Sequence, residues 1–159
     1  MKAKEGVLDF LNNVLTAELT AVHQYLLHAS MCDNWGYERL RHELRGRATE
    51  EVDHAAGVMD HILYLEGIPD MQRLRTVQGG QAVPDLFNAD LKLEQEDVKL
   101  LREAITHCAK VGDYTTRHKL EDMIKDSEEH IDWIETQLRT SKQVGLENYL
   151  SEQIKKEGS

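Results

Sequence analysis

Apolar side chains recur along this chain in alternating steps of four and three, the spacing of an inward stripe on each of several long amphipathic helices. The first stripe, Leu11, Leu15, Glu18, Val22, Tyr25 and Ala29, predicts a helix from about Val7 to Trp35, stopped by Gly36. A second runs through Leu40, Leu44, Arg47, Glu51, His54, Val58, His61 or Ile62, and Leu65. It predicts a helix over about 37–66 that ends at Gly67 and Pro69. The short link at Gly36 makes these two helices antiparallel neighbours. A third stripe, Phe87, Leu91, Glu94, Val98, Leu101, Ile105 and Cys108, spans about 84–111, with Pro84 suited to the first turn. A fourth, Leu120, Met123, Ser127, His130 and Ile134, spans about 113–142. Gly112 and Asp113 separate the third helix from the fourth, and Gly145 stops the fourth. Leu146 to Lys155 fit a short fifth helix, and the polar tail is expected to fray.

Between the two helical pairs, residues 67–83 carry Gly67, Pro69, Gly79 and Gly80 and little periodicity. Such a long link is best explained as a crossover that lets the second and third helices run parallel within a four-helix bundle. The reading is therefore all-α, one domain over 1–159, with a long crossover and a short C-terminal helix.

Each stripe is interrupted by polar residues near its middle. Glu18, Glu51, His54, Glu94, Ser127 and His130 all fall on inward seams. Glu51 and His54 are three residues apart and so project from one helix face. A constant offset relates the two halves: adding 76 to Glu18, Glu51 and His54 gives Glu94, Ser127 and His130. One Glu from each of two helices, with a Glu-x-x-His pair from each of the other two, is the donor set of a carboxylate di-iron centre. Five of the six positions carry ligand types, and Ser127 is the break. A single Glu in a seam is more often a boundary residue whose head reaches water. A single His there is more often a hydrogen-bonded core residue. Four helices misplacing ligand types at one height is a different matter, because buried carboxylates cost many kcal/mol unless a cation neutralises them. Oxygen and imidazole donors without thiolate suit iron or manganese, and zinc is compatible.

Charge narrows the function classes. With 19 Lys and Arg against 29 Asp and Glu, the formal net charge is −10. That balance argues against a general nucleic-acid or anionic-membrane binder. No apolar run approaches the ~20 residues of a membrane span. The basic Met1–Gly6 start leads into an amphipathic segment, so no export signal is expected. Cys32 and Cys108 show no CxxC spacing and read as reduced thiols of a cytoplasmic protein.

Other polar residues carry less. His23, His28, His42, His107 and His118 lie off the seams and are expected in solvent, and His61 is ambiguous. The methionines form no stripe and read as gap fillers. Tyr25 shares a seam with Glu18 and is placed to hydrogen-bond a ligand carboxylate, to carry electrons, or simply to pack. Glu128 and Glu129 belong to a charged outer face.

The segments Leu19-Thr20-Ala21-x-x-Gln24-Tyr25, Asn34-Trp35-Gly36, Glu51-x-x-His54-Ala55, Ile62-Leu63-Tyr64-Leu65-Glu66-Gly67-x-Pro69, His130-Ile131-Asp132-Trp133-Ile134-Glu135 and Gly145-Leu146-Glu147-Asn148-Tyr149-Leu150 resemble those of bacterioferritins, over essentially the whole chain. The resemblance implies a ferritin-like four-helix bundle. It implies a homo-oligomeric cage of about 24 subunits in closed point-group symmetry. Such cages oxidise Fe(II) with dioxygen or peroxide at an intra-subunit ferroxidase centre and store ferric mineral inside, and a ferredoxin-type reductant releases the iron. By this resemblance Glu18 and Glu94 match the terminal carboxylate ligands, Glu51 one bridging Glu, and His54 and His130 the two His ligands. The implied cofactor is non-haem iron, one or two ions per subunit.

The chain departs from the family pattern in places. Ser127 stands where the family has its second bridging Glu, so the ferroxidase centre is expected to be incomplete and its activity impaired. Val52 stands where a Met from each of two subunits holds haem b, and Val cannot ligate iron. Gly46, Arg47 and Glu50 stand where iron-handling members have His, Glu and Asp. An alternative reading is a catalytically weak structural subunit that co-assembles with a second, ferroxidase- or haem-competent bacterioferritin subunit. A third is a di-iron oxygenase subunit or a store for another metal.

Overall fold

Each stripe winds into one helix in the computed structural model, which describes residues 1–155. Among them are α1 (Val7–Asn34), α2 (Glu38–Tyr64), α3 (Val83–Val111), α4 (Tyr114–Val144) and α5 (Leu146–Gln153), with no strand. α4 runs two residues past the expected Lys142, up to Gly145, and α5 stops two short of Lys155. The fraying expected at the extreme end falls on residues 156–159, outside the described ones.

The links explain where these helices stop. Gly112, at φ 77°, caps α3 in the left-handed region that a side chain disfavours. Asp113 opens α4, its Oδ1 accepting from the Thr116 amide at 3.0 Å and its Oδ2 from the Thr116 hydroxyl at 2.6 Å. His61, buried on α2, donates from Nε2 to that same hydroxyl at 2.7 Å, which resolves the residue left ambiguous above.

Side-chain pairs give the directions. The crossover climbs α1: Asn12 holds Ile68 and Asp70, Thr20 accepts from the Arg75 amide, and Gln24 accepts from the Gln78 amide. α3 then descends antiparallel to α1, with Gln24 meeting Asp90, Tyr25 meeting Glu94, and His107 reaching the Glu5 carbonyl. α2 and α3 are therefore parallel, as a long crossover requires. α4 returns beside α2, pairing His130 with Glu50, His54 with Asp126 and Thr116 with His61.

The core is two apolar clusters. One gathers Leu11, Leu15, Val58, Ile62, Leu101 and Leu120. The other gathers Tyr25, Leu40, Leu44, Phe87, Ile134 and Tyr149, the last brought in by α5. Glu18, Glu51, Glu94, Ser127 and His130, all buried, belong to neither cluster. On each helix these polar positions fall between residues of the first cluster and residues of the second.

One surface expectation is overturned. His28 is completely buried, with Nδ1 2.8 Å from Asp90 Oδ1 and Nε2 on the Gln78 carbonyl. Gln24 Nε2 donates to the same Asp90 oxygen at 2.9 Å. A single-stripe reading gives α1 one buried face, but the crossover covers a second, and His28 lies under it. His107 is half-buried, whereas His23, His42 and His118 are exposed.

Replacing the cap should be costly, because Asp113→Ala removes the acceptor for two donors and leaves the buried Thr116 and His61 without their anchor. The expected loss is about 1–2 kcal/mol in denaturant unfolding of the metal-free protein. A loss of a few tenths would show that the cap network contributes little.

Candidate metal centre

α1, α2, α3 and α4 each deliver a ligand-type side chain to the layer between the two clusters. Two groups form, Glu18–Glu51–His54 and Glu51–Glu94–His130, each offering ligand atoms within 4.8 Å of one another. His54 Nδ1 lies 3.5 Å from Glu18 Oε2 and 3.4 Å from Glu51 Oε2. His130 Nδ1 lies 3.1 Å from Glu94 Oε1 and 3.5 Å from Glu51 Oε1. Glu51 thus turns one oxygen to each side, the disposition of a carboxylate placed to bridge two ions. All five residues singled out from the sequence come together.

The far nitrogen of each histidine is also held. His54 Nε2 sits 2.9 Å from Asp126 Oδ2, and His130 Nε2 sits 2.8 Å from Glu50 Oε2. A proton on Nε2 shared with these carboxylates leaves Nδ1 facing the centre, which orients an imidazole for metal binding and raises its basicity. Neither carboxylate was legible as a partner, since each precedes a seam position and is expected to point outward. Both are part-exposed, and Glu50 is long enough to fold back from solvent to His130. Tyr25, also buried, donates its hydroxyl to Glu94 Oε1 at 2.6 Å and sets its ring edge-on to His130. Arg47 lies over the Trp133 ring at 5.5 Å, with Nη1 3.9 Å from Glu50 Oε2.

Burial and mutual repulsion dominate the electrostatics. Loss of water pushes the Glu51 carboxyl well above its usual range, and the neighbouring Glu18 pushes it further. Glu94 rises to about 8, through burial first and then the charge of Glu51. Burial opposes a charge on His54, but its contacts with Glu18 and Glu51 outweigh that and raise it to about 11. Glu18 Oε2 is buried with no hydrogen-bond partner. A buried carboxylate oxygen whose nearest donor is His54 Nδ1 at 3.5 Å is what a closer cation would neutralise. The donor set therefore fits a divalent metal.

The layer contains a further acid that no motif flagged. Asp97, one turn beyond Glu94 on α3, is 3 % exposed, and burial followed by the charge of Glu94 raises it well above the carboxylate range. Among the described residues, the cation paired with it is Arg75 of the crossover, 3.5 Å away. Ser127 is buried on α4 and, as a serine, adds no carboxylate to either ligand group. Val52 stands half-exposed on α2, away from the centre.

The chain matches the family model of the ferritin-like domain over residues 8–144. It is 42% identical to a bacterioferritin of Mycolicibacterium paratuberculosis over 149 residues, 94% of each chain. Bacterioferritin BfrA of Mycobacterium tuberculosis is 40% identical, again over 94% of each. A bacterioferritin of Streptomyces coelicolor is 40% identical over 151 residues, 95% of this chain and 90% of its own. Across nearly its whole length, then, the chain belongs to the ferritin-like family, among the bacterioferritins.

Proposed function

We propose that this chain is an iron-storage subunit of a bacterioferritin-type cage in the cytoplasm. It takes Fe(II) at Glu18, Glu51, His54, Glu94 and His130 and passes ferric product to an internal mineral. The observation that carries this reading is the pair of buried ligand groups sharing Glu51. Glu18 and Glu94 are the terminal carboxylates, His54 and His130 the nitrogen donors, and Tyr25 holds Glu94 in place. Two Fe(II) give one electron each to dioxygen, which takes up two protons and leaves as hydrogen peroxide, while the iron leaves as Fe(III). Protons held on Glu51, Glu94 and His54 must depart as metal arrives. Stored iron is returned by an external electron donor of the ferredoxin type.

Ser127 limits this chemistry. Two Fe(II) bring four positive charges, and Glu18, Glu51 and Glu94 offset three. A Ser hydroxyl is too short to bridge. The centre holds one ion well, or two poorly, so pairwise reduction of dioxygen is slow. A second reading is favoured by Ser127 and Val52 occurring together: a weak subunit that co-assembles with a competent sibling in a mixed cage. Val52 does not fit the family's haem, because it has no thioether and a two-fold site duplicates the loss.

Anaerobic Fe(II) titration of the protein purified alone tests the reading directly. We expect about one tight ion per subunit. Ser127→Glu should raise both stoichiometry and oxidation rate, by at least about tenfold in affinity for the weaker site. Tight binding of a full pair by the parent, with no gain in the variant, would refute the account of Ser127.

The raised groups also set a pH dependence. A group whose folded pKa lies above its unfolded value stabilises at low pH, and the contribution is lost as pH rises through the folded value. For Glu94 that window runs from 4.5 to about 8, and Glu51 and His54 carry the same sign. Thermal melts of the metal-free protein should therefore fall across this range. Co(II) should restore the upper end with release of protons. Parallel melts with and without Co(II) at every pH would exclude a metal at these residues.

Native sedimentation of the same preparation should give a large closed cage without a Soret band. A small oligomer, or stoichiometric haem with two Met axial ligands, would contradict the assembly and the role given to Val52.

A further inference from the structure

The His54 end of the centre has its own opening. A cleft of about 200 Å³ between α2 and α4 is lined by His54 and His61, by apolar walls of Leu11, Val58, Leu120 and Met123, and by the exposed Asp53, Lys119 and Asp122 at its rim. These four walls are all buried residues of the bundle core. Gly57 of α2 lines this cleft from an exposed position. A Cβ built there meets nothing within 4 Å, so a larger side chain can be added over the opening without a clash. The cleft and the candidate centre share His54, which is 15 % exposed where the other four ligand-type side chains are nearly sealed. It therefore ends on the centre rather than beside it.

The His130 end opens differently. A second hollow there is bounded by His42, Glu43, Gly46, Arg47 and Glu50, polar or charged side chains around one glycine. Glu50 spans from solvent to His130 Nε2. A hydrated divalent cation exchanges its water for such groups at little cost, whereas the aliphatic walls inside the rim of the first cleft offer it no ligand. Apolar hollows favour small uncharged guests and take up xenon. The two mouths thus differ in the chemistry they admit.

We infer that the cleft beside Gly57 admits dioxygen to the His54 side of the centre, apart from the polar mouth at Gly46. The inference rests on the iron-oxidising reading above. It assigns a guest class to the cleft and a purpose to Gly57, a helix-interior glycine that costs stability relative to alanine.

Three measurements on the assembled protein test it. Crystals of the parent pressurised with xenon should show the gas against Val58, Leu120 and Met123, and Gly57→Leu crystals should not. Gly57→Leu should raise the dioxygen concentration for half-maximal Fe(II) oxidation several-fold while leaving anaerobic Co(II) stoichiometry at the parent's value. Gly57→Ala, which gains helix propensity without filling the cleft, should keep the parent's dioxygen dependence. A parent cleft without xenon, a leucine variant with the parent's half-saturation, or equal effects of Ala and Leu would each overturn the inference and leave the iron site standing. A parent that oxidises no Fe(II) would remove both.

Discussion

Three carboxylates buried between two apolar clusters impose the constraint that the rest of the centre answers. Removing one charged group from water costs several kcal/mol after relaxation, and a domain of this size has a net stability of about 5–15 kcal/mol. Glu18, Glu51 and Glu94 cannot all be ionised in that layer without help. The metal-free protein meets the problem with protons, held high on Glu51 and Glu94, and with an imidazolium at His54. Asp126 and Glu50 stabilise the histidines from outside, and the Tyr25 hydroxyl satisfies one oxygen of Glu94. Under the function proposed above, every one of these contacts would support a metal ligand once the protons leave.

The two halves of the bundle answer unequally. Glu51 serves both ligand groups, so each histidine sees it, but no carboxylate on α4 mirrors it. The side that lacks a partner for Glu51 holds Ser127, and near it stand residues that the paired arrangement does not call for. Arg47 brings a cation over Trp133 and toward Glu50, and its charge lowers the pKa of Glu94. Asp97 adds an acid on the opposite flank, countered by Arg75. With Ser127 supplying no anion and Arg47 bringing a cation nearby, the layer carries less negative charge than four carboxylates would give it.

Helical periodicity made most of the architecture legible, because each helix buries one stripe and interrupts it at the same height. The five candidate donors that the structure brings together could be named for that reason: a seam position fixes direction, and residue type supplies the rest. What escaped followed from other physics. His28 and Asp90 lie under the crossover, a segment without periodicity, so no stripe predicted their burial. Asp126 and Glu50 act through side-chain length and curl, which a helical wheel does not encode. Gly57 reads as an ordinary glycine until the helix opposite is in place.

The packing of the four helices is lopsided. α1 is closely packed against both α2 and α3, and α3 against α4, but α2 and α4 face each other across no comparable backbone contact. Along that edge the bundle is closed by ionisable side chains, His54 to Asp126 and His130 to Glu50, with an apolar cleft below. Such an edge is held by contacts whose strength depends on the charge of the two histidines, while the α1–α3 side is pinned by the hydrogen bonds of the crossover. Local opening concentrates where apolar contact is thinnest. Filling and emptying of the centre would then be felt as a change in the width of one seam, with the rest of the subunit left still.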